Sequence, residues 1–211
     1  MDVVFFLEER VAFILRHYAL VGEPFTEIKR RIEAKEPPFV PQYEEEDEPA
    51  FLQDWLDADE SLQVLAYSCV SMLSASLQLF FKTWVEKSRV AIDSHERTKK
   101  GWFGRYKDHF RDNFQIDFDA VSANFGVLDE VVLARNRIEH PSSITTQRIR
   151  YEPLDMVKLQ RPIFVREYEC DVDEEDSIIS STLHISRDQL LFAANETTRF
   201  ARWFDEQMRA I

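Results

Sequence analysis

Glycine and cysteine are scarce in this 211-residue sequence. It contains four glycines and two cysteines. Because glycine and proline are the main breakers of regular structure, so few glycines between long periodic runs indicate a mainly helical protein. We expect turns at Gly22, Gly101 and Gly104. Cys69 and Cys170 lie far apart and share no metal-binding or redox spacing, so we expect two reduced thiols, as in a cytosolic protein.

The signatures of several enzyme and metal-binding classes are also missing. The sequence has no phosphate-binding glycine loop, no HExxH zinc motif and no paired-cysteine metal motif. His17, His95, His109 and His184 have no ligand-like spacing to a second histidine. A Ser–His–Asp triad stays open, because its members need not be close in sequence, although no nucleophile elbow is present. No metal and no cofactor is therefore expected.

Neither a signal peptide nor a membrane span is predicted. The N-terminal 20 residues are apolar, but Glu8, Glu9 and Arg10 interrupt them and no basic leader precedes them. No segment reaches the roughly 18 uninterrupted apolar residues that a membrane span needs. We therefore expect a cytoplasmic protein with no membrane association.

Basic residues are outnumbered, and the charge is unevenly distributed. The net charge is −13, which opposes non-specific binding to nucleic acid. Residues 32–60 hold eleven acids and one base, whereas residues 82–111 hold nine bases and four acids. An acidic protein can therefore still present a basic face.

The hydrophobic periodicity predicts a mainly α protein, an antiparallel helical bundle with a small β-hairpin near the C-terminus. We expect a single domain, 1–211, with a helical core at 61–141. Residues 1–60 would supply N-terminal helices and an acidic loop, and residues 142–211 the β-hairpin and a last helix. The predicted helices are 2–20, 26–34, a turn at 51–56, 61–93, 117–140 and 186–208. The hairpin pairs 161–169 with 177–184 around an acidic turn at 171–176.

The sequence Arg135-Asn136-Arg137-Ile138-Glu139-His140-Pro141 closes the predicted helix 117–140 and carries polar groups that its apolar pattern does not need. That pattern repeats every three or four residues along one side, at Phe118, Val121, Phe125, Leu128, Val131 and Val132. One turn further, the same side reaches Arg135, whose charge must be paired, solvated or bound to an anion.

Two interpretations of this motif are open. In the simpler one, Arg135 and Glu139 form an ion pair four residues apart, His140 complements the helix dipole, and Pro141 ends the helix. In the other, Arg135, Asn136 and His140 form a site.

The second interpretation follows from a resemblance. The motif has an Arg and a His separated by four residues, the first of which is polar, and it lies at the end of the second of two long helices. In these respects it resembles the HEPN family of small helical domains. Many members of that family are metal-independent ribonucleases that act as two-fold dimers; others only bind. Some are regulated at a Tyr two residues after the His, and this sequence has Ser142 there.

The resemblance implies a site and a reaction. The ribose 2′-OH would attack the adjacent phosphorus, leaving a cyclic phosphate and a free 5′-OH. His140 would transfer the proton, since its pKa range suits that role. Arg135 would stabilise charge on the phosphoryl oxygens, and Asn136 would orient His140 or hold the phosphate.

A basic stretch before the motif helix is a candidate for binding RNA. It carries Lys99, Lys100, Arg105 and Lys107, interleaved with Trp102 and Phe103. Cations contact phosphate and aromatic rings stack on bases. In the alternative, the stretch is a surface turn whose aromatic residues pack into the core.

Two functions without catalysis also fit the sequence. A non-catalytic dimer of this kind would bind RNA, a nucleotide or a protein. A plain interaction protein, such as an immunity or antitoxin partner, would use the acidic residues 44–48 to bind a basic protein. Toxin–antitoxin and defence systems are the expected setting for the ribonuclease.

Overall fold

The computed structural model describes residues 2–41, 49–92, 101–121, 123–141, 149–159, 161–166 and 182–211. Over these ranges the chain is mainly helical, as the sequence predicts. The helices are α1 (Val3–Glu33), α2 (Leu52–Ser88), α3 (Gly101–Phe114), α4 (Phe125–Glu139), α5 (Pro153–Leu159) and α6 (Arg187–Ala210), with a 3-10 turn at Phe118–Ala120. The predicted acidic loop at 44–48 lies outside the described residues.

The first helix is continuous, so the predicted break at Gly22-Glu23-Pro24 is wrong. Pro24 lies inside α1. Gly22 is buried, and a Cβ at this position would lie 3.2 Å from a methyl group of Leu62 in α2. Its carbonyl accepts a hydrogen bond from the Thr26 hydroxyl at 3.1 Å. This glycine therefore allows a close approach of two helices, and packing on α2 holds α1 together through its proline.

The second long helix is also continuous. It begins at Leu52 and thus joins the predicted turn at 51–56 to the predicted helix at 61–93. Near one end Arg10 Nε donates to Ser76 Oγ at 3.2 Å, and near the other Lys29 Nζ lies 2.5 Å from Asp59 Oδ1. Because the pairing runs in opposite directions along the two sequences, α1 and α2 are antiparallel.

An aromatic cluster fills the core between α2, α3 and α6. The Phe81 ring is fully buried, with its centroid 5.3–6.0 Å from the centroids of six other rings. Those rings belong to Phe80, Phe103, Tyr106, Phe110, Phe200 and Phe204. Phe103 is buried and Trp102 packs against the core, so the prediction that these aromatic residues pack inward is confirmed. The predicted surface turn is wrong, because the stretch belongs to α3, which begins at Gly101 and continues through Gly104.

The motif helix begins eight residues later than predicted, at Phe125 instead of 117. The side chain of Asn124 caps it by accepting from Gly126 N at 3.1 Å. The backbone N–H of Asn124 donates to the buried Glu196 of α6 at 2.5 Å. These two contacts fix the start of α4, while Phe118 belongs to a separate 3-10 turn. The predicted apolar side of α4 is confirmed, since Leu128, Val131 and Val132 are buried.

No strand is found in the described residues, so the described parts of the predicted hairpin do not support it. Most of the hairpin, at 167–181, lies outside those residues. Residues 161–166 are irregular, and Thr182 forms an isolated antiparallel bridge with Arg150. The described ends of the two predicted arms are in contact, because His184 N donates to Phe164 O at 2.9 Å. Side chains of the long helices also bond this backbone: Gln63 of α2 accepts from Ile185 N at 3.0 Å, and Glu130 of α4 accepts from Phe164 N at 2.7 Å.

The last helix and the long apolar helix complete the bundle. Ser186 and Gln189 form the predicted capping box at the start of α6, which is confirmed.

By length and composition alone, α2 could cross a membrane, although more than half of its most apolar stretch is buried within the chain. A core helix of a soluble protein has the same properties.

Candidate functional site

The motif occupies the last turn of α4, and its residues belong to one short surface segment. The Arg135 side chain is 30% exposed and forms an ion pair with Glu139, which is 38% exposed. Its Nη1 also donates to Asn136 Oδ1 at 3.1 Å. The ion pair of the simpler interpretation is therefore present, and Asn136 contacts the same guanidinium.

His140 ends the helix and is exposed. Its backbone N–H donates to Asn136 O at 3.0 Å, with φ −128° and ψ 63°, so the backbone turns away from the helix at this residue. No hydrogen bond or ion pair joins its ring to any other described residue. Within the described part of the chain, the imidazole is therefore exposed and without a polar partner.

Arg137 also lies inside the motif, although the sequence analysis assigns it no role. Its side chain is the most firmly held of the motif's side chains. Its Nε and Nη2 donate to the two carboxylate oxygens of Asp155 at 2.7 and 3.0 Å, and Nη1 donates to Glu152 at 2.5 Å. Asp155 is 1% exposed. Its hydrogen bonds raise the pKa of Arg137, while burial opposes the shift. Arg137 therefore holds α5 against the motif helix.

These contacts leave the end of α4 without a basic surface. Arg135 faces Glu139, and Arg137 faces Glu152 and Asp155. Taken together, the charges of these five described side chains do not favour the binding of a phosphate group. A ligand phosphate would have to displace Glu139 from Arg135. An exposed ion pair of this spacing contributes only about 0.3–0.5 kcal/mol, so the exchange is inexpensive.

One turn and a half before the motif, α4 carries a buried carboxylate that the sequence pattern did not predict. Glu130 is 2% exposed. It accepts hydrogen bonds from the Tyr151 hydroxyl at 2.9 Å and from the backbone N–H groups of Ile163 and Phe164, both at 2.7 Å. Burial raises the pKa of Glu130, and the three donors act against that shift. Glu130 thus ties two irregular segments to the motif helix.

Two of the four predicted RNA-binding cations, Arg105 and Lys107, belong to the described residues. Lys99 and Lys100 lie outside the described residues. Arg105 is half-buried in α3, and its Nε is buried without a hydrogen-bond partner among the described residues. Lys107 Nζ lies 4.7 Å from the centroid of the Phe125 ring and 3.5 Å from Asp129 Oδ1. Lys107 therefore lies at the opposite end of α4 from the motif.

The described residues contain no group of three or more His, Cys, Asp or Glu side chains placed to hold a metal ion. No family model, no curated protein and no solved structure matches this chain.

Proposed function

We propose that the chain is a HEPN-like, RNA-directed protein, a metal-independent endoribonuclease acting as a homodimer. The arrangement that carries the proposal is the last turn of α4, where Arg135 and Asn136 contact each other and the His140 ring is exposed. An imidazole transfers protons near neutral pH, and a guanidinium binds phosphoryl oxygens through paired hydrogen bonds. These two groups therefore suit attack by the ribose 2′-OH on the adjacent phosphorus, which needs proton transfer and stabilisation of phosphoryl charge.

The homodimer in this proposal has a supporting surface on α1. Phe6, Phe13 and Leu20 are 54%, 57% and 71% exposed. Because they are seven residues apart, they lie on one side of the helix, along about 21 Å. Val64 and Leu79 of α2 are also more than two-fifths exposed. Exposed apolar side chains that recur along one side of a helix can anchor an interface with a second chain.

A change of one exposed ring tests the dimer. We expect Phe13→Glu to produce monomers in light scattering after gel filtration and to abolish cleavage, because a charge would be buried in the interface. Leu154→Glu, at another site that is 69% exposed, is the matched control and should stay dimeric. If the wild type and Phe13→Glu associate equally, this surface of α1 is not the dimer interface.

Catalysis is tested with purified protein and diverse RNAs in the presence of a chelator. The wild type should cleave, and His140→Ala should be slower by about 10²–10⁴-fold, the usual contribution of a positioned proton-transfer group. Glu206→Ala changes an exposed residue on α6 and serves as the control. Cleavage by His140→Ala at the wild-type rate would contradict the assignment.

The second candidate function is a binding module of the same fold without catalysis. It is favoured by the ion pair between Arg135 and Glu139 and by the acids around Arg137, because these described contacts balance the positive charges of the motif. RNA retention without cleavage by the wild type, weakened by Arg135→Ala, would support the module. A basic protein captured in a salt-dependent manner would instead point to an interaction protein.

A further inference from the structure

The exposed apolar side chains of α1 are arranged evenly about Phe13. Phe6 precedes it by seven residues, Leu20 follows it by seven, and each of the three residues is more than half exposed. Seven residues are close to two helical turns, so each end of this stripe lies about 10 Å from its centre. A two-fold axis through Phe13, perpendicular to the helix, would therefore place Phe6 of one chain opposite Leu20 of another.

The neighbouring helix α2 adds an apolar side chain at each end of the stripe. The antiparallel contacts between α1 and α2 bring Leu79 to about the level of Phe6. The same contacts bring Val64 to about the level of Leu20. These two aliphatic residues are 45% and 56% exposed. Each end of the stripe therefore has an exposed aliphatic residue beside it.

Two charged side chains lie along one flank of the stripe. Relative to Phe13, the helical repeat places Glu9 about 40° and Arg16 about 60° around the helix in the same direction. Both residues are exposed, and neither has an ion-pair or hydrogen-bond partner among the described residues. They cannot pair with each other, because they are about 10 Å apart along the helix axis.

The two opposite charges lie at similar distances from the centre of the stripe. Glu9 is four residues before Phe13 and Arg16 is three residues after it, which is about 6 and 4.5 Å along the axis. When two helices pack antiparallel about a two-fold axis, the same flank of each helix faces the other. Glu9 of one chain would therefore lie opposite Arg16 of the second chain, and the axis repeats this pair.

The other flank of the stripe is engaged within the chain. Arg10 Nε donates to Ser76 Oγ at 3.2 Å. The His17 ring stacks on the Phe13 ring, with 6.1 Å between the ring centroids. This stacking orders the central ring before any association, which lowers the entropic cost of burying it. Only the acid and the base of the first flank are left without a partner in the described chain.

We propose that α1 packs antiparallel against α1 of a second copy, with Phe13 at the two-fold axis and Glu9 paired with Arg16 across it. This mode of association rests on the proposed homodimer. The surface is self-complementary, as a two-fold contact requires, because a ring meets a ring, an aromatic end meets an aliphatic end, and an acid meets a base. The charges select this orientation, because in a parallel contact Glu9 and Arg16 would lie about 10 Å apart along the axis.

Charge reversal tests the pairing in analytical ultracentrifugation of the full-length protein. Glu9→Arg and Arg16→Glu should each weaken association by about tenfold or more, because each places like charges opposite one another at two symmetric positions. The double variant restores opposite charges and should associate within about threefold of the wild type. Glu206→Arg makes the same change of net charge at an exposed position of α6 and should leave association unchanged.

Disulfide cross-linking tests the orientation. In a Cys170→Ser background, Phe13→Cys should form a covalent dimer on oxidation, because the two copies of this position meet at the axis. Leu20→Cys should not cross-link to itself, because its two copies would be about 21 Å apart. A mixture of Phe6→Cys and Leu20→Cys chains should cross-link one to the other.

Three results would overturn the inference. They are a Leu20→Cys chain that cross-links to itself, a double charge variant that associates as weakly as either single variant, and single variants that associate like the wild type. If the wild type dimerises but gives any of these results, the homodimer stands and the antiparallel mode fails. A monomeric wild type overturns both. None of these readouts uses RNA, so a dimer that pairs in this way and leaves every RNA intact supports the inference and contradicts only the ribonuclease.

Discussion

The buried carboxylate of Glu130 gives the sharpest test of how the motif helix is held. Replacing it with Gln keeps the shape but turns one acceptor oxygen into an NH2 group. One oxygen of Glu130 accepts from Tyr151 and Phe164, and the other accepts from the N–H of Ile163. In Glu130→Gln at least one buried donor therefore faces another donor.

The magnitude follows from counting unpaired groups. A buried donor without a partner costs about 1–3 kcal/mol, and removing a buried charge offsets part of that cost. We expect Glu130→Gln to lower the free energy of unfolding by about 1–3 kcal/mol. Glu130→Ala leaves three donors unpaired and opens a cavity, so we expect a loss of about 3–5 kcal/mol and a Tm lower by roughly 10–15 °C.

The assay is urea unfolding followed by circular dichroism, with Glu206→Gln as the control. Glu206 is exposed on α6, and its substitution should change the free energy of unfolding by less than about 0.5 kcal/mol. If Glu130→Ala changes the free energy of unfolding by less than about 0.5 kcal/mol, the hydrogen bonds of Glu130 do not hold the motif helix in place. We expect the largest loss of stability for Glu130→Ala, a smaller loss for Glu130→Gln and the smallest for Glu206→Gln.

Three further predictions concern the core and two titrating groups. Phe81→Ala should lower the free energy of unfolding by about 3–5 kcal/mol in urea unfolding, because its ring is fully buried among other rings. Burial and nearby cations lower the pKa of His184. Its contribution to stability is therefore present above the unfolded pKa and is lost as the pH falls through the folded pKa. Urea unfolding at pH 7.5 and 5 should show a larger acid loss for the wild type than for His184→Gln, and equal losses would contradict this. Burial raises the pKa of the Cys69 thiol to about 11. In Cys170→Ser, Cys69 should react with a thiol reagent only after unfolding, so fast labelling of the folded protein would count against its burial.

Local sequence patterns predicted the parts of the fold that depend on neighbours along the chain. The apolar side of α4 follows from three–four spacing, and the start of α6 follows from the Ser186 and Gln189 pair. The contact between Arg135 and Glu139 follows from a separation of four residues. In each case the partners are within one helical turn, so their geometry is fixed by the helix itself.

The parts that were predicted wrongly, or not at all, depend on residues distant in sequence. Pro24 predicts a break, but α1 continues because Gly22 packs closely on α2. The start of α4 at Phe125 depends on Glu196 of α6. This carboxylate accepts a hydrogen bond from the backbone N–H of Asn124, 72 positions earlier in the sequence. Glu130 and Arg137 looked like ordinary helix polar residues, since nothing near them in sequence reveals their partners.

We propose that an imidazole and a guanidinium at the end of α4 cleave RNA without a metal ion. The chemistry of the fragment ends, after incubation of RNA with the wild type in a chelator, distinguishes this mechanism from metal-dependent hydrolysis. We expect 2′,3′-cyclic phosphate and 5′-OH ends, lost in His140→Ala and Arg135→Ala. Fragments that carry 3′-OH ends, or that form equally with His140→Ala, would contradict it.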